Sequence, residues 1–99
     1  MGEIHLSAES EAELDDIWLY IARDSGSEDI ATRVVEGIRR RFSLLGRHPY
    51  IGRQREDLRP DVRSFVADNY VIIYRIIHPD TVLILHIFHG RRDIGRLLE

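Results

Sequence analysis

The sequence predicts an α+β domain in which a helical hairpin lies against one face of a sheet built on a three-stranded antiparallel meander. Two runs, residues 70–77 and 81–88, are rich in β-branched and aromatic residues and flank Pro79-Asp80. That composition suits strands joined by a turn whose φ is preset by proline and eased by an Asx residue. Both runs are apolar at nearly every position, which places them inside a sheet with most of both faces covered. Upstream, two segments carry apolar residues at helical spacing and are separated by a short Ser/Gly turn, the pattern of an antiparallel helix pair. At 99 residues the chain has room for one core, so residues 1–99 are read as a single domain.

The elements follow in order. Residues 3–6 form a short strand. Ser7 is an N-cap, with Glu9 and Glu11 at the positive end of the helix that follows. Leu14, Ile17, Trp18, Ile21 and Ala22 form one apolar stripe, giving a first helix over residues 8–23. Asp24-Ser25-Gly26-Ser27 is a turn that supplies a second N-cap. A second stripe at Ala31, Val34, Val35, Ile38, Phe42 and Leu45 ends at Gly46. Gly37 within it costs about 1 kcal/mol against alanine, which is accounted for if helix or sheet approaches closely there. Residues 47–60 are a loop with Pro49, Gly52, Pro60 and the arginines 47, 53, 55 and 59. Residues 62–67 form a strand, Asp68-Asn69 turns, and the hairpin completes a three-stranded meander. Ile94, Leu97 and Leu98 have the spacing of a short C-terminal helix.

Composition narrows the chemistry. The absence of cysteine excludes disulfides and thiolate metal sites. The five histidines include no pair at ligand spacing with a carboxylate, so neither a metal nor a cofactor is expected. The first residues lack a basic and apolar leader, and no membrane span is evident, which makes the cytoplasm the expected location. Net charge is -3, and all 14 basic residues are arginine. Residues 1–30 hold nine acids against Arg23, whereas residues 33–63 hold nine arginines against four acids. Such a division suggests two surfaces with different partners. The arginine set suits bidentate carboxylate or phosphate contacts, and base composition of the genome explains it equally well.

The order of these elements, the loop His48-Pro49-Tyr50-Ile51-Gly52-Arg53, the strand Tyr70-Val71-Ile72-Ile73-Tyr74-Arg75 and the exit His89-Gly90-Arg91-Arg92-Asp93 resemble the RelE/ParE toxin superfamily, and the ParE branch more than the RelE branch. RelE-like toxins cut messenger RNA on the ribosome. The resemblance assigns their proton transfer and phosphorane stabilisation to lysines before the hairpin, arginines on it and a tyrosine near the C-terminus. Here Val62 and Ser64 stand at the lysine positions, Val71 at the hairpin arginine and Leu97-Leu98 at the tyrosine; only Arg92 matches. ParE-like toxins instead inhibit DNA gyrase by binding, without catalytic residues, and are neutralised by a ParD-like antitoxin in a hetero-oligomer. DNA is then met only through the antitoxin or gyrase.

The resemblance therefore implies a gyrase-inhibiting type II toxin, with a ribosome-dependent ribonuclease or an inactive antitoxin-binding relative as alternatives. The target-contacting set is His89, Arg91, Arg92 and Arg96, with residues 47–59 as the next arginine-rich surface. A structural role for Arg91-Arg92, capping a helix or pairing with Asp93, stays open. Trp18, Ile21, Tyr74 and Arg75 form the antitoxin-contacting set, although Trp18 serves equally as core and Tyr74 as a packing residue.

Overall fold

A computed structural model describes residues 2–78 and 80–90. The chain runs β1 (Glu3–Leu6), α1 (Ala8–Ser25), α2 (Glu28–Arg47), a 3-10 turn (Pro49–Ile51), β2 (Arg53–Gln54), β3 (Val62–Ala67), β4 (Tyr70–His78) and β5 (Thr81–His89). The strands make one sheet in the order β1-β5-β4-β3-β2. β2 to β5 pair antiparallel, and β1 lies parallel to β5 with Ile4 opposite Val82.

Two features correct the sequence reading of the sheet. It has five strands rather than four, because Arg53 and Gln54 pair with Ser64 and Arg63 inside the stretch read as a loop. Both residues are exposed, so this strand rests on backbone pairing and leaves no apolar alternation to read. The sheet is also mixed, because β1 adds to β5 in parallel. The expected C-terminal helix lies outside the described residues.

Local chemistry sets the helix ends. Ser7 caps α1 through its hydroxyl, which accepts the Ser10 N–H at 3.0 Å, and Glu9 and Glu11 occupy the first turn. The helix continues to Ser25, past the expected end at Arg23, and stops where Gly26 turns left-handed at φ 69°. Ser27 caps α2 in the same manner, accepting from Ile30 N–H at 3.2 Å. Trp18 donates its indole N–H to the Thr32 hydroxyl at 3.1 Å and so ties the two helices together.

Both helices cover one face of the sheet. Leu14, Ile38, Phe42 and Leu45 meet Ile72, Tyr74, Val82 and Ile84 in the main core, and burial of each large apolar side chain stabilises by about 1.5–3 kcal/mol. The opposite face holds a smaller cluster of Val62, Ile73 and Phe88, partly roofed by Leu58 from the β2–β3 connection. Gly37 is not a point of close approach: a Cβ there meets only the end of Arg40 at 3.5 Å. Gly46 is such a point, since a Cβ would lie 2.9 Å from Ile4 Cδ1.

Candidate functional site

The 3-10 turn after α2 is held from below by two side chains of the sheet. Tyr74 is fully buried, and its hydroxyl accepts the Gly52 N–H at 2.9 Å and donates to the Pro49 carbonyl at 2.7 Å. Burial pushes its phenol pKa up, against smaller opposing effects of the Gly52 N–H and Arg63. Arg63 donates to the carbonyls of Gly52 at 2.7 Å and Tyr50 at 3.2 Å, and its guanidinium lies 5.1 Å from the Tyr50 ring centre. Any side chain at position 52 would overlap the Tyr74 ring. The turn nonetheless points Tyr50 and Ile51 outward, 66% and 46% exposed. Beside it runs a groove of about 450 Å³ lined by Tyr50, Gln54, Glu56, Asp61, Val62 and Ile77, among others.

A second arrangement sits at the end of β5. β1 stops at Leu6, and two side chains take over the hydrogen bonding it would have supplied to β5. The Ser7 hydroxyl donates to the Leu85 carbonyl at 2.8 Å. Glu13 accepts the Ile87 N–H at 2.9 Å with one oxygen, while its other oxygen lies 3.2 Å from His86 Nδ1. Beyond them a groove of about 520 Å³ opens between α1 and the strand, lined by Asp16, Ile17, Tyr20, Tyr70, Phe88 and His89 among others. Burial, with the nearby Tyr20 as a smaller cause, raises the Tyr70 pKa.

The residues proposed for target contact are only partly placed. His89 ends β5 against Tyr70, ring centres 5.6 Å apart and nearly perpendicular. Arg91, Arg92 and Arg96 lie outside the described residues. Of the antitoxin-contacting set, Trp18 and Ile21 are half-buried on α1, and Arg75 is exposed on the sheet face opposite the helices. Tyr74 is corrected: it faces the helices, is wholly enclosed and offers no surface to a partner, because alternation in β4 puts it on the face opposite to Arg75. Val62, Ser64 and Val71 share the face of Arg75, and the Ser64 hydroxyl lies 3.5 Å from Arg55 Nη1. Arg55 is bonded to Asp57 at 2.9 Å, and that hydrogen bond, above all, holds the Asp57 carboxyl below its ordinary range.

Sequence reasoning missed Ser7 as a sheet ligand, Glu13, Arg63 and the need for glycine at position 52. The last had a signal in Pro-x-x-Gly, which marks a turn; the others depend on partners over ten residues distant. On α2, Arg39 and Arg40 are exposed, whereas Arg41 donates to the Gly37 carbonyl at 3.2 Å and lies 3.5 Å from Asp68. Among the described residues no three His, Cys, Asp or Glu side chains are grouped to hold a metal, and no helix is long and apolar enough to cross a membrane.

Residues 4–94 match the family model for the ParE toxin of the type II toxin-antitoxin system parDE. Toxin ParE3 of Caulobacter vibrioides is 30% identical over 98 residues, covering 99% of this chain and 96% of that protein. Toxin ParE1 of Mycobacterium tuberculosis is 27% identical over 93 residues, 94% of each chain. In fold, the chain matches a structure from a chromosomal ParDE TA system of P. aeruginosa with a TM-score of 0.76 and 21% identity, over 90% of this chain and 96% of that one. Given the match across nearly its whole length, the chain belongs to the ParE toxin family of type II toxin-antitoxin systems.

Proposed function

We propose that this toxin inhibits DNA gyrase by binding, in the cytoplasm, and is neutralised by a ParD-like antitoxin in a hetero-oligomer. DNA is then met only through gyrase or the antitoxin, and the action is not enzymatic. One observation carries this reading over the ribonuclease one. Val62, Ser64 and Val71 share the sheet face that the helices leave open, and they stand at positions where the resemblance to RelE-like toxins calls for side chains that move protons and stabilise a phosphorane. Two of the three are aliphatic, and the serine is buried beside Arg55.

The target-contacting groups in this reading are His89, Arg91, Arg92 and Arg96, whose guanidinium groups suit carboxylates on gyrase or phosphates of its bound DNA. Trp18, Ile21 and Arg75 serve the antitoxin, supported by exposed apolar neighbours on α1 such as Leu19 and Tyr20. The test is a supercoiling assay with purified gyrase beside a translating extract. Inhibition of supercoiling with intact messenger RNA is expected. Cuts in the A-site codon, abolished by His89→Ala or Arg92→Ala, would establish the ribonuclease instead. No effect in either assay would leave an antitoxin-binding relative without toxicity.

A further inference from the structure

We infer that the turn Pro49–Ile51 is a preorganised contact for a carboxylate-rich protein surface with an apolar hollow, carried by the toxin's target rather than by its antitoxin. The inference rests on the toxin reading above. Folding accounts for the hydrogen bonds, which satisfy the buried Tyr74 hydroxyl, but not for the exposure of the side chains that the turn carries. A buried phenol and a sheet arginine make four hydrogen bonds to the backbone of Pro49, Tyr50 and Gly52, yet the side chains carried by the turn between them, Tyr50 and Ile51, stand in water. Exposed large apolar groups on a rigid backbone have already lost the conformational freedom that association would otherwise cost. Tyrosine and arginine are also the residues that most often dominate binding energy.

Charge identifies the partner's chemistry. Residues 37–54 contain five arginines and no carboxylate, and Arg39, Arg40, Arg47 and Arg53 are exposed. Such a field steers an acidic surface toward the turn. Glu56 and Asp61 line the groove beside Tyr50 together with Arg63, whose guanidinium is already bonded to the turn's carbonyls, while Arg47 and Arg53 lie outside it, so the partner's carboxylates are directed to Arg47 and Arg53. Topology separates this surface from the antitoxin residues proposed on α1. The turn packs on α2 and leads into β2 at one edge of the sheet, whereas α1 packs on β5 and β1 at the other.

The experiment uses the full chain, purified as its antitoxin complex and then released. Tyr50→Ser/Ile51→Ser and Arg47→Ala/Arg53→Ala variants are compared with wild type in thermal melting, antitoxin titration, gyrase inhibition and growth arrest on induction. A third variant, Tyr74→Phe, loosens the turn while leaving every exposed group in place. The two double variants should lose at least about tenfold in inhibition and in growth arrest with unchanged antitoxin affinity, and Tyr74→Phe should lose a few-fold. Folded double variants that arrest growth like wild type would overturn the inference, as would a loss confined to antitoxin affinity. Should wild type arrest growth without touching gyrase, the gyrase reading fails while the variants still decide this one by growth arrest. Wild type without any toxicity overturns both.

Discussion

The two faces of the sheet are built from the same strands and much the same residue types, yet they differ in what covers them. Toward the helices, Ile72, Tyr74, Val82 and Ile84 meet Leu14 and Ile17 of α1 and Val34, Val35, Ile38, Phe42 and Leu45 of α2 and are wholly enclosed. On the other side, Ile73 and Val62 are enclosed in a small cluster with Phe88, packed by Leu58, Val71 and Leu85, and Val66 on the same face is 66% exposed. Strand composition therefore does not determine burial. The number of covering elements does, and a hairpin of two helices covers one face.

The sharpest break in that comparison would come from truncating one residue on each side. Leu45→Ala in the helix-facing core should cost about 3–4 kcal/mol, whereas Val66→Ala should stay within about 0.5 kcal/mol. Ile73→Ala, under the partial roof, should fall between them at about 2–3 kcal/mol. Chemical denaturation of the three variants gives the ranking, and equal costs for Leu45 and Val66 would erase the distinction between faces.

Tyr74→Phe tests whether the enclosed face also governs the turn. Removing the hydroxyl leaves a buried N–H at Gly52 and the Pro49 carbonyl without it, for about 1–3 kcal/mol. The same phenol predicts a pH dependence. Its folded pKa lies above the unfolded value near 10, so its contribution is whole below about pH 10 and is lost as pH rises through the folded pKa. Melting temperatures should fall less steeply above pH 10 in Tyr74→Phe than in wild type. Equal slopes would assign the alkaline loss to other groups, Tyr70 first.

At the edge where β1 stops, Glu13→Ala should cost about 1–2 kcal/mol, because the Ile87 N–H loses its acceptor. Glu13→Gln keeps an acceptor and should cost less than half as much. Hydrogen exchange at Ile87 reads this directly: unchanged protection in Glu13→Ala would remove the carboxylate from the edge. One substitution should bring a gain. Gly37→Ala meets only the tip of a flexible arginine and should stabilise by about 0.5–1 kcal/mol, whereas a loss in thermal melting would mean that α2 is closer to its neighbours than 3.5 Å allows.

The sequence by itself determined both helices, their serine caps and the three long strands, because each signal lies within one helical turn or one pleat of its cause. The Ser7 hydroxyl and the Ser10 N–H are three residues apart; the stripe from Ala31 to Leu45 repeats at the helical period. It also carried the family resemblance, since that rests on the order of elements and on short motifs. Only the tertiary structure decided how distant groups meet. Tyr74 and Pro49 are 25 residues apart, Glu13 and Ile87 are 74 apart, and nothing local distinguishes a tyrosine that pins a turn from one that faces a partner. β2 escaped detection for a related reason: a two-residue edge strand exists through backbone pairing with β3, and backbone groups are identical at every position of a sequence.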